Sequence, residues 1–194
     1  LRALGCEISY ENAGEIHLIS KGWQKQKVKL NLDFSSQFLS SLLLSCWKLP
    51  FEFVIQTGSR EQGGSYLEMT IAFLKSMGMV IEEGEDFLKV PENQVPDEML
   101  YEVEPDMSSA FTLGAFAFFN GKLVLESFPE KSLQPDFIFT DLLREMGAEL
   151  NYELEDKKLV VTKAQTPQNV NWNLRNNPDL FPVLAVLLSR VPGE

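Results

Sequence analysis

The sequence predicts an α/β fold built from repeated βαβαββ units of about 70 residues. Two series of markers and one strand pattern carry that prediction. The first series is Leu1-Arg2-Ala3-Leu4-Gly5-Cys6-Glu7-Ile8, Phe73-Leu74-Lys75-Ser76-Met77-Gly78-Met79-Val80-Ile81 and Leu142-Leu143-Arg144-Glu145-Met146-Gly147-Ala148-Glu149-Leu150. Each is a helix ended by glycine and followed by a strand, with the glycine suited to the left-handed position just past a helix. The second series, at the same spacing, is Ser35-Ser36-Gln37-Phe38-Leu39, Ser108-Ser109-Ala110-Phe111-Thr112 and Asp179-Leu180-Phe181-Pro182-Val183, each opening an apolar helix. The strand pattern is Lys27-Val28-Lys29-Leu30-Asn31-Leu32, whose strict polar and apolar alternation marks a half-buried strand.

The elements follow in order. A helix end at Gly5 leads to a strand over 15–20 and the alternating strand at 27–32. A helix then opens at Ser35, and a strand follows over 51–57. The helix from Tyr66 to Met77 sets Leu67, Thr70-Ile71 and Leu74 on one face, at the spacing that packs on a sheet. Residues 80–90 turn at Glu83-Gly84-Glu85 as a hairpin. Two prolines and several acidic residues between Pro91 and Pro105 predict a join near Glu104-Pro105-Asp106, dividing the chain into lobes at 1–104 and 105–194. The next helix, Phe111 to Phe119, is apolar nearly all round and is expected to be buried on most sides. A strand over 121–128, the helix ending at Gly147, a hairpin over 149–162 turning near Glu155-Asp156, and a helix opening at Asp179 complete the chain. About 2.7 such units fit, with both chain ends inside a unit.

With 194 residues, of which 44% are hydrophobic, the chain can bury a real core. Its 17 basic against 28 acidic residues give a net charge of -11, which disfavours nucleic acid as a partner. No apolar run approaches the roughly 18 residues of a membrane helix. Two cysteines, Cys6 and Cys46, make neither a disulfide framework nor a metal set, so a reducing cytoplasm is expected. A start at Leu1 without a basic-then-apolar leader suggests an excised segment lacking a signal peptide.

Chemistry-bearing residues are few. The single histidine, His17, sits in a strand, where an exposed or hydrogen-bonded role outweighs catalysis. Zinc, phosphate-loop and dinucleotide glycine patterns are absent. Ser35-Ser36-Gln37 places two hydroxyls and an amide at a helix N-terminus, where backbone N–H groups and the dipole attract an anion such as phosphate. A serine N-cap explains the same residues without any ligand. Lys21, Lys25, Lys27 and Lys29 form the one basic cluster and fit a solvated strand face. Asp179, after Asn176-Asn177-Pro178, either compensates the helix dipole or holds and deprotonates a substrate hydroxyl. A helix N-terminus weakens it as a base, so the second role requires another group.

Taken together, these motifs resemble the 5-enolpyruvylshikimate-3-phosphate synthase family, the 3-phosphoshikimate 1-carboxyvinyltransferases. The resemblance rests on Ser35-Ser36-Gln37-Phe38-Leu39-Ser40-Ser41-Leu42-Leu43, Tyr66-Leu67-Glu68-Met69-Thr70, Val103-Glu104-Pro105-Asp106-Met107-Ser108-Ser109-Ala110, Ser132-Leu133-Gln134-Pro135-Asp136 and Pro178-Asp179-Leu180-Phe181-Pro182-Val183-Leu184-Ala185. These occur in the family's order and cover essentially the whole chain. The resemblance implies parts of two lobes of the enolpyruvyl transferase inside-out α/β barrel, 1–104 being the later part of the first and 105–194 the earlier part of the second. It implies transfer of the enolpyruvyl group of phosphoenolpyruvate to the 5-hydroxyl of shikimate 3-phosphate, in aromatic amino acid biosynthesis through chorismate. No metal or organic cofactor is implied, nor any membrane or nucleic-acid partner, and the parent is expected to be a cytoplasmic monomer. By the same resemblance Ser35 and Ser36 hold the 3-phosphate, Gln37 reaches both substrates, Tyr66 packs on the shikimate ring and Asp179 takes the 5-hydroxyl proton.

The sequence departs from the family where a phosphate-binding serine is usual three residues before Tyr66. Gly63 stands there, so either Ser59 or Ser65 substitutes or phosphate affinity is reduced. The family's N-terminal Lys-Ser pair and arginine, its Lys-Glu-x-Asp-Arg segment and its C-terminal arginine and lysine have no counterpart, and the segment alone is expected to be inactive. Two alternatives remain at this level: a non-catalytic anion-binding or assembly module on the same fold, and the UDP-N-acetylglucosamine enolpyruvyl transferase relative, which Ser-Ser-Gln fits less well.

Overall fold

The computed structural model describes residues 1–11, 14–30, 37–58, 64–97 and 100–192. It divides into two compact units, Leu1–Met99 and Leu100–Glu194. In the first unit a 3-10 turn, Arg2–Leu4, precedes the hairpin of β1 (Glu7–Glu11) and β2 (Glu15–Ile19). Then come β3 (Lys27–Lys29), α1 (Gln37–Leu44), β4 (Phe53–Gln56), α2 (Gly64–Ser76), β5 (Glu82–Glu83) and β6 (Phe87–Val90). This stretch is one whole βαβαββ unit. Its sheet has the order β3-β4-β6-β5, with β3 parallel to β4 and the other pairs antiparallel. The parallel pair follows from the α1 crossover, since parallel neighbours cannot be joined by a tight turn.

The second unit repeats most of that plan with α3 (Met107–Asn120), β7 (Lys122–Leu125), α4 (Phe139–Glu145), β8 (Glu149–Glu153), β9 (Lys158–Thr162) and α5 (Phe181–Leu188). Its sheet order β7-β9-β8 matches β4-β6-β5. Among the described residues no strand forms over 100–106 or over 163–177, so the first strand expected for these units is missing from the assigned structure. Residues 102–105 pack with the second unit. Lys157 lies 3.8 Å from Glu102, the Gln134 amide donates to Glu104 at 3.2 Å and to the Pro105 carbonyl at 2.8 Å, and Ser132 donates to Glu104. The division between the compact units therefore precedes Glu104.

All three glycine-ended turns form as their sequence predicts. Gly5, Gly78 and Gly147 have φ of 96°, 88° and 103°. The glycine N–H donates three residues back, to Arg2, Lys75 or Arg144, at 3.0 Å each. The next N–H, of Cys6, Met79 or Ala148, reaches five residues back to Leu1, Leu74 or Leu143, which is the Schellman arrangement. After each hairpin the chain returns and caps the turn. The N–H groups of Gln24, Asp97 and Gln168 donate to the carbonyls of Leu4, Met77 and Met146, each at 2.9 Å.

Packing against the sheets explains which faces are buried. Leu67, Ile71 and Leu74 of α2 join Leu39 and Leu43 of α1 and Phe53, Ile55, Leu88 and Val90 of the sheet in one core. The second core centres on Phe111, Phe118, Phe139, Leu142, Leu143, Leu159 and Val161, with Phe128 stacked on Phe137 at 5.8 Å. The apolar helices are not buried on most sides, contrary to expectation. In α3 the buried residues Met107, Ala110, Phe111, Gly114, Ala117 and Phe118 form one stripe, while Phe116 is 71% exposed. In α5 Leu184 and Leu187 are buried, while Phe181 is 64% exposed. Each helix has a single sheet-facing side within its unit, and apolar composition alone does not reveal how many sides are covered.

The turn at Gly147 yields a test. A Cβ there would lie 2.8 Å from the Thr166 backbone carbonyl, whereas at Gly22, with φ of 83°, it would meet nothing within 4 Å. Left-handed φ alone costs an L-residue about 1–2 kcal/mol. Gly147→Ala should therefore lower the thermal midpoint of the second unit clearly more than Gly22→Ala lowers that of the first, and equal shifts would show that the Thr166 contact relaxes freely.

Candidate functional site

The sheet of the first unit places side by side the ends of two strands that each lead on to a helix. Strands β3 and β4 are parallel, and Lys29 stands opposite Gln56, so their carboxyl ends are level. The Leu30 N–H extends the pairing to the Gln56 carbonyl at 2.8 Å. The chain leaves β3 toward α1 and β4 toward α2 from this one end of the sheet, the position where open α/β sheets bind ligands. Ser35 and Ser36, which come between β3 and α1 in sequence, and Ser59 and Gly63, which come between β4 and α2, lie outside the described residues.

The two helices that follow these strands are fastened to each other by a pair of side chains. Ser40 Oγ and Thr70 Oγ1 are 2.9 Å apart, joining α1 to α2, and Thr70 Oγ1 also lies 3.0 Å from the Tyr66 carbonyl, which accepts from it. Gln37 precedes Ser40 by one turn and Tyr66 precedes Thr70 by one turn, so both lie toward the N-terminal ends of their helices. Gln37 is the first residue of α1 and exposed, its carbonyl accepting from Ser41 Oγ at 2.8 Å, and Tyr66 is half-buried. The structure thus brings Gln37 and Tyr66 to one end of one unit.

Asp179 belongs to the second unit. It lies in the 3-10 turn Pro178–Leu180 that leads into α5, with Pro178 at the start and the Asp179 side chain exposed. Neighbouring Asn177 and Leu180 are buried and fix the turn. The arrangement predicted from Asn176-Asn177-Pro178-Asp179 is present.

The start of α3, the repeat counterpart of α1, is closed to a ligand by its own side chains. Asp106 accepts from the Ser109 N–H at 2.6 Å and from Ser108 Oγ at 2.9 Å, and the Met107 N–H donates to Gln134 Oε1 at 3.0 Å. Ser109 first, with Ser108 adding to it, holds the Asp106 carboxyl below the ordinary carboxylate range. Asp106 is thus the N-cap of α3, with Ser108 Oγ donating to its carboxylate. Sequence reading missed Gln134, which closes the same helix start, because that side chain comes from 27 residues away and no local pattern announces it.

The remaining chemistry-bearing residues are structural. His17 is on the exposed hairpin, its Nε2 3.7 Å from Glu15 and 3.8 Å from Glu11, contacts worth little in water. Burial pushes the Cys46 thiol up to about 12, and its Sγ donates to the Leu42 carbonyl at 3.2 Å. That thiol is inert packing. Lys27 and Lys29 are exposed on either side of buried Val28, the solvated strand face expected. A cleft of about 400 Å³ beside Glu102, Phe128 and Tyr152, and an apolar groove of about 530 Å³ between α3 and α5, both lie in the second unit and are not lined by Asp179.

The family model for EPSP synthase (3-phosphoshikimate 1-carboxyvinyltransferase) matches residues 1–193. The chain is 29% identical over 201 residues to the 3-phosphoshikimate 1-carboxyvinyltransferase of Mannheimia haemolytica, covering 100% of this chain and 46% of that one. It is 34% identical over 161 residues to that of Methanothrix thermoacetophila, covering 82% of this chain and 38% of that one. Among solved structures, EPSP synthase of Acinetobacter baumannii superposes with a TM-score of 0.65 at 20% identity over 99% of this chain and 45% of that one. The enolpyruvyl transferase NikO of Streptomyces tendae gives 0.63 at 14% identity, covering 99% and 48%. These structures share the fold. The chain spans less than half the length of each.

The Asp106 cap carries a pH-dependent expectation. Because its folded pKa is depressed, its stabilisation is complete above the ordinary carboxylate value of about 3.9 and is lost as pH falls through the lower folded value. Asp106→Ala should weaken hydrogen-exchange protection in the first turns of α3 by about 1 kcal/mol at neutral pH, and the difference from the unsubstituted chain should close in acid. A difference independent of pH would rule out the carboxylate as the cap.

Proposed function

The chain belongs to the EPSP synthase family, and on that premise we propose that it forms part of a transferase moving the enolpyruvyl group of phosphoenolpyruvate to the 5-hydroxyl of shikimate 3-phosphate. The observation that carries this reading is the common exit of the β3 and β4 loops, with Gln37 and Tyr66 on the adjoining helix starts. Ser35 and Ser36 hold the 3-phosphate at the N-terminal end of α1, where the helix dipole favours an anion. Gln37 reaches both substrates, and Tyr66 packs on the shikimate ring.

Asp179 takes the proton of the 5-hydroxyl as that oxygen bonds to C2 of phosphoenolpyruvate and C3 gains a proton from a general acid. The C2–O bond to phosphate then breaks as C3 gives up a proton, which restores the double bond in the transferred group. The start of a helix stabilises the Asp179 carboxylate and weakens it as a base, so a neighbouring group must assist. Two anionic substrates also need cations to hold them together and to offset developing charge. Residues 1–194 carry no counterpart of the family's Lys-Ser pair, its Lys-Glu-x-Asp-Arg segment or its C-terminal arginine and lysine. The segment alone is therefore a partial binding surface without turnover. We place it in the cytoplasm as part of a monomer, in keeping with cysteines that are both free and an acidic charge that disfavours nucleic acid.

Gly63, where the family has a phosphate-binding serine, favours a second reading, a non-catalytic anion-binding module on the same fold. Two measurements decide between them. The segment incubated with phosphoenolpyruvate and shikimate 3-phosphate should release no phosphate, and measurable release would overturn the division of labour described. Titration with shikimate 3-phosphate should shift the Ser36 and Gln37 amide resonances, and Gln37→Ala should weaken the response to it. Equal shifts with inorganic phosphate alone would favour the module, and no shift at millimolar ligand would remove the anion site.

A further inference from the structure

Asparagine followed by glycine is the pair at which a polypeptide most readily attacks itself, because a glycine nitrogen approaches the asparagine Cγ with no side chain in the way. The 194 residues contain one such pair, Asn120-Gly121. It stands where α3 ends and β7 is about to begin. Gly121 has φ of 151°, which residues with a Cβ rarely adopt, so the fold requires the glycine that makes its neighbour labile.

The folded chain keeps the two reacting groups apart. The Gly121 N–H donates to the Ala117 carbonyl at 3.0 Å, and Asn120 Nδ2 donates to the Phe116 carbonyl at 2.9 Å. The first bond withholds the nucleophile, since the amide nitrogen must lose its proton to attack. The second holds the side-chain amide back along the helix. Asn120 is itself the last helical residue, and a helical backbone aims the following N–H at the preceding turn. The Asn120 side chain is exposed, so hydroxide and water reach the pair once the turn opens. Helix ends are among the first parts of a fold to open.

We propose that Asn120 is a self-modification site of this chain, deamidating when the last turn of α3 opens. Hydroxide removes the Gly121 amide proton, and the nitrogen bonds to Asn120 Cγ. The Cγ–Nδ2 bond then breaks, and the departing nitrogen takes a proton from water, which releases ammonia, returns the hydroxide and leaves a five-membered succinimide. Water opens that ring at either carbonyl to give aspartate or isoaspartate. Both products place a negative charge at the C-terminal end of α3, where the helix dipole opposes it, and both lose the Nδ2 bond to Phe116. Isoaspartate also adds a methylene to the backbone, directly before the Gly121 carbonyl that accepts from the Lys163 N–H at 2.7 Å and before the first β7 pair, Lys122 with Thr162. The modified turn therefore re-forms less well, and the change runs one way. The inference rests on this pair and its bonds and is independent of the transferase reading.

The test incubates the chain at mildly alkaline pH, folded and in urea, and follows the amide-to-acid mass change by peptide mass spectrometry. In urea the change should accumulate at Asn120 ahead of every other asparagine. In the folded chain it should be slower there by about tenfold or more. Ala117→Gly, which weakens the last turn, should speed the folded-state reaction about fivefold and Gly121 amide exchange by the same factor. Asn120→Gln, whose longer side chain cannot close a five-membered ring, should remove the modification and leave the circular dichroism unchanged. Equal rates in the folded and unfolded chain would overturn the control by α3, and faster reaction at another asparagine in urea would overturn the site. Faster Gly121 exchange in Ala117→Gly with no rise in deamidation would also sink the proposal. If Ala117→Gly does not fold, the unsubstituted chain in urea below its unfolding midpoint supplies the same comparison of exchange with deamidation.

Discussion

A helix can pass into a hairpin over a single residue only if that residue takes the left-handed conformation, and three times in this chain glycine does so. The turn alone would leave carbonyls at the helix end without partners. The Schellman bonds satisfy some of them, and the returning chain, through Gln24, Asp97 and Gln168, satisfies the carbonyl just before the glycine. That last contact ties the beginning of each hairpin to its end. It fixes where the hairpin leaves the helix and where the chain is delivered to the next unit.

At the start of α3 the Asp106 carboxylate and the Gln134 amide occupy the helix donors, and Ser108 donates to Asp106 to complete a closed local network. At α1 and α2 the Ser40 and Thr70 hydroxyls join the two helices to each other.

Much of this was legible locally. Gly5, Gly78 and Gly147 announced the turns because only glycine takes positive φ cheaply, and Val28 between Lys27 and Lys29 announced a strand with one buried face. Leu67, Ile71 and Leu74 announced the packed face of α2 for the same reason of period. The network at the start of α3 was half legible, in that Asp106 and Ser108-Ser109 were visible and Gln134 was not. Phe116 and Phe181 misled, because an apolar side chain states what it would gain from burial and not whether anything covers it.

The sequence by itself determined the repeat, its period and the residue types at each helix start, since these follow from backbone sterics and side-chain alternation within a few residues. Only the tertiary structure decided that β3 and β4 end level, that Ser40 meets Thr70, and that Gln134 closes α3. It alone separated Ile16 and Leu18, left exposed, from Leu159 and Val161, sealed in a core. Those outcomes depend on contacts between segments far apart in the chain, and burial is a property of what arrives from elsewhere.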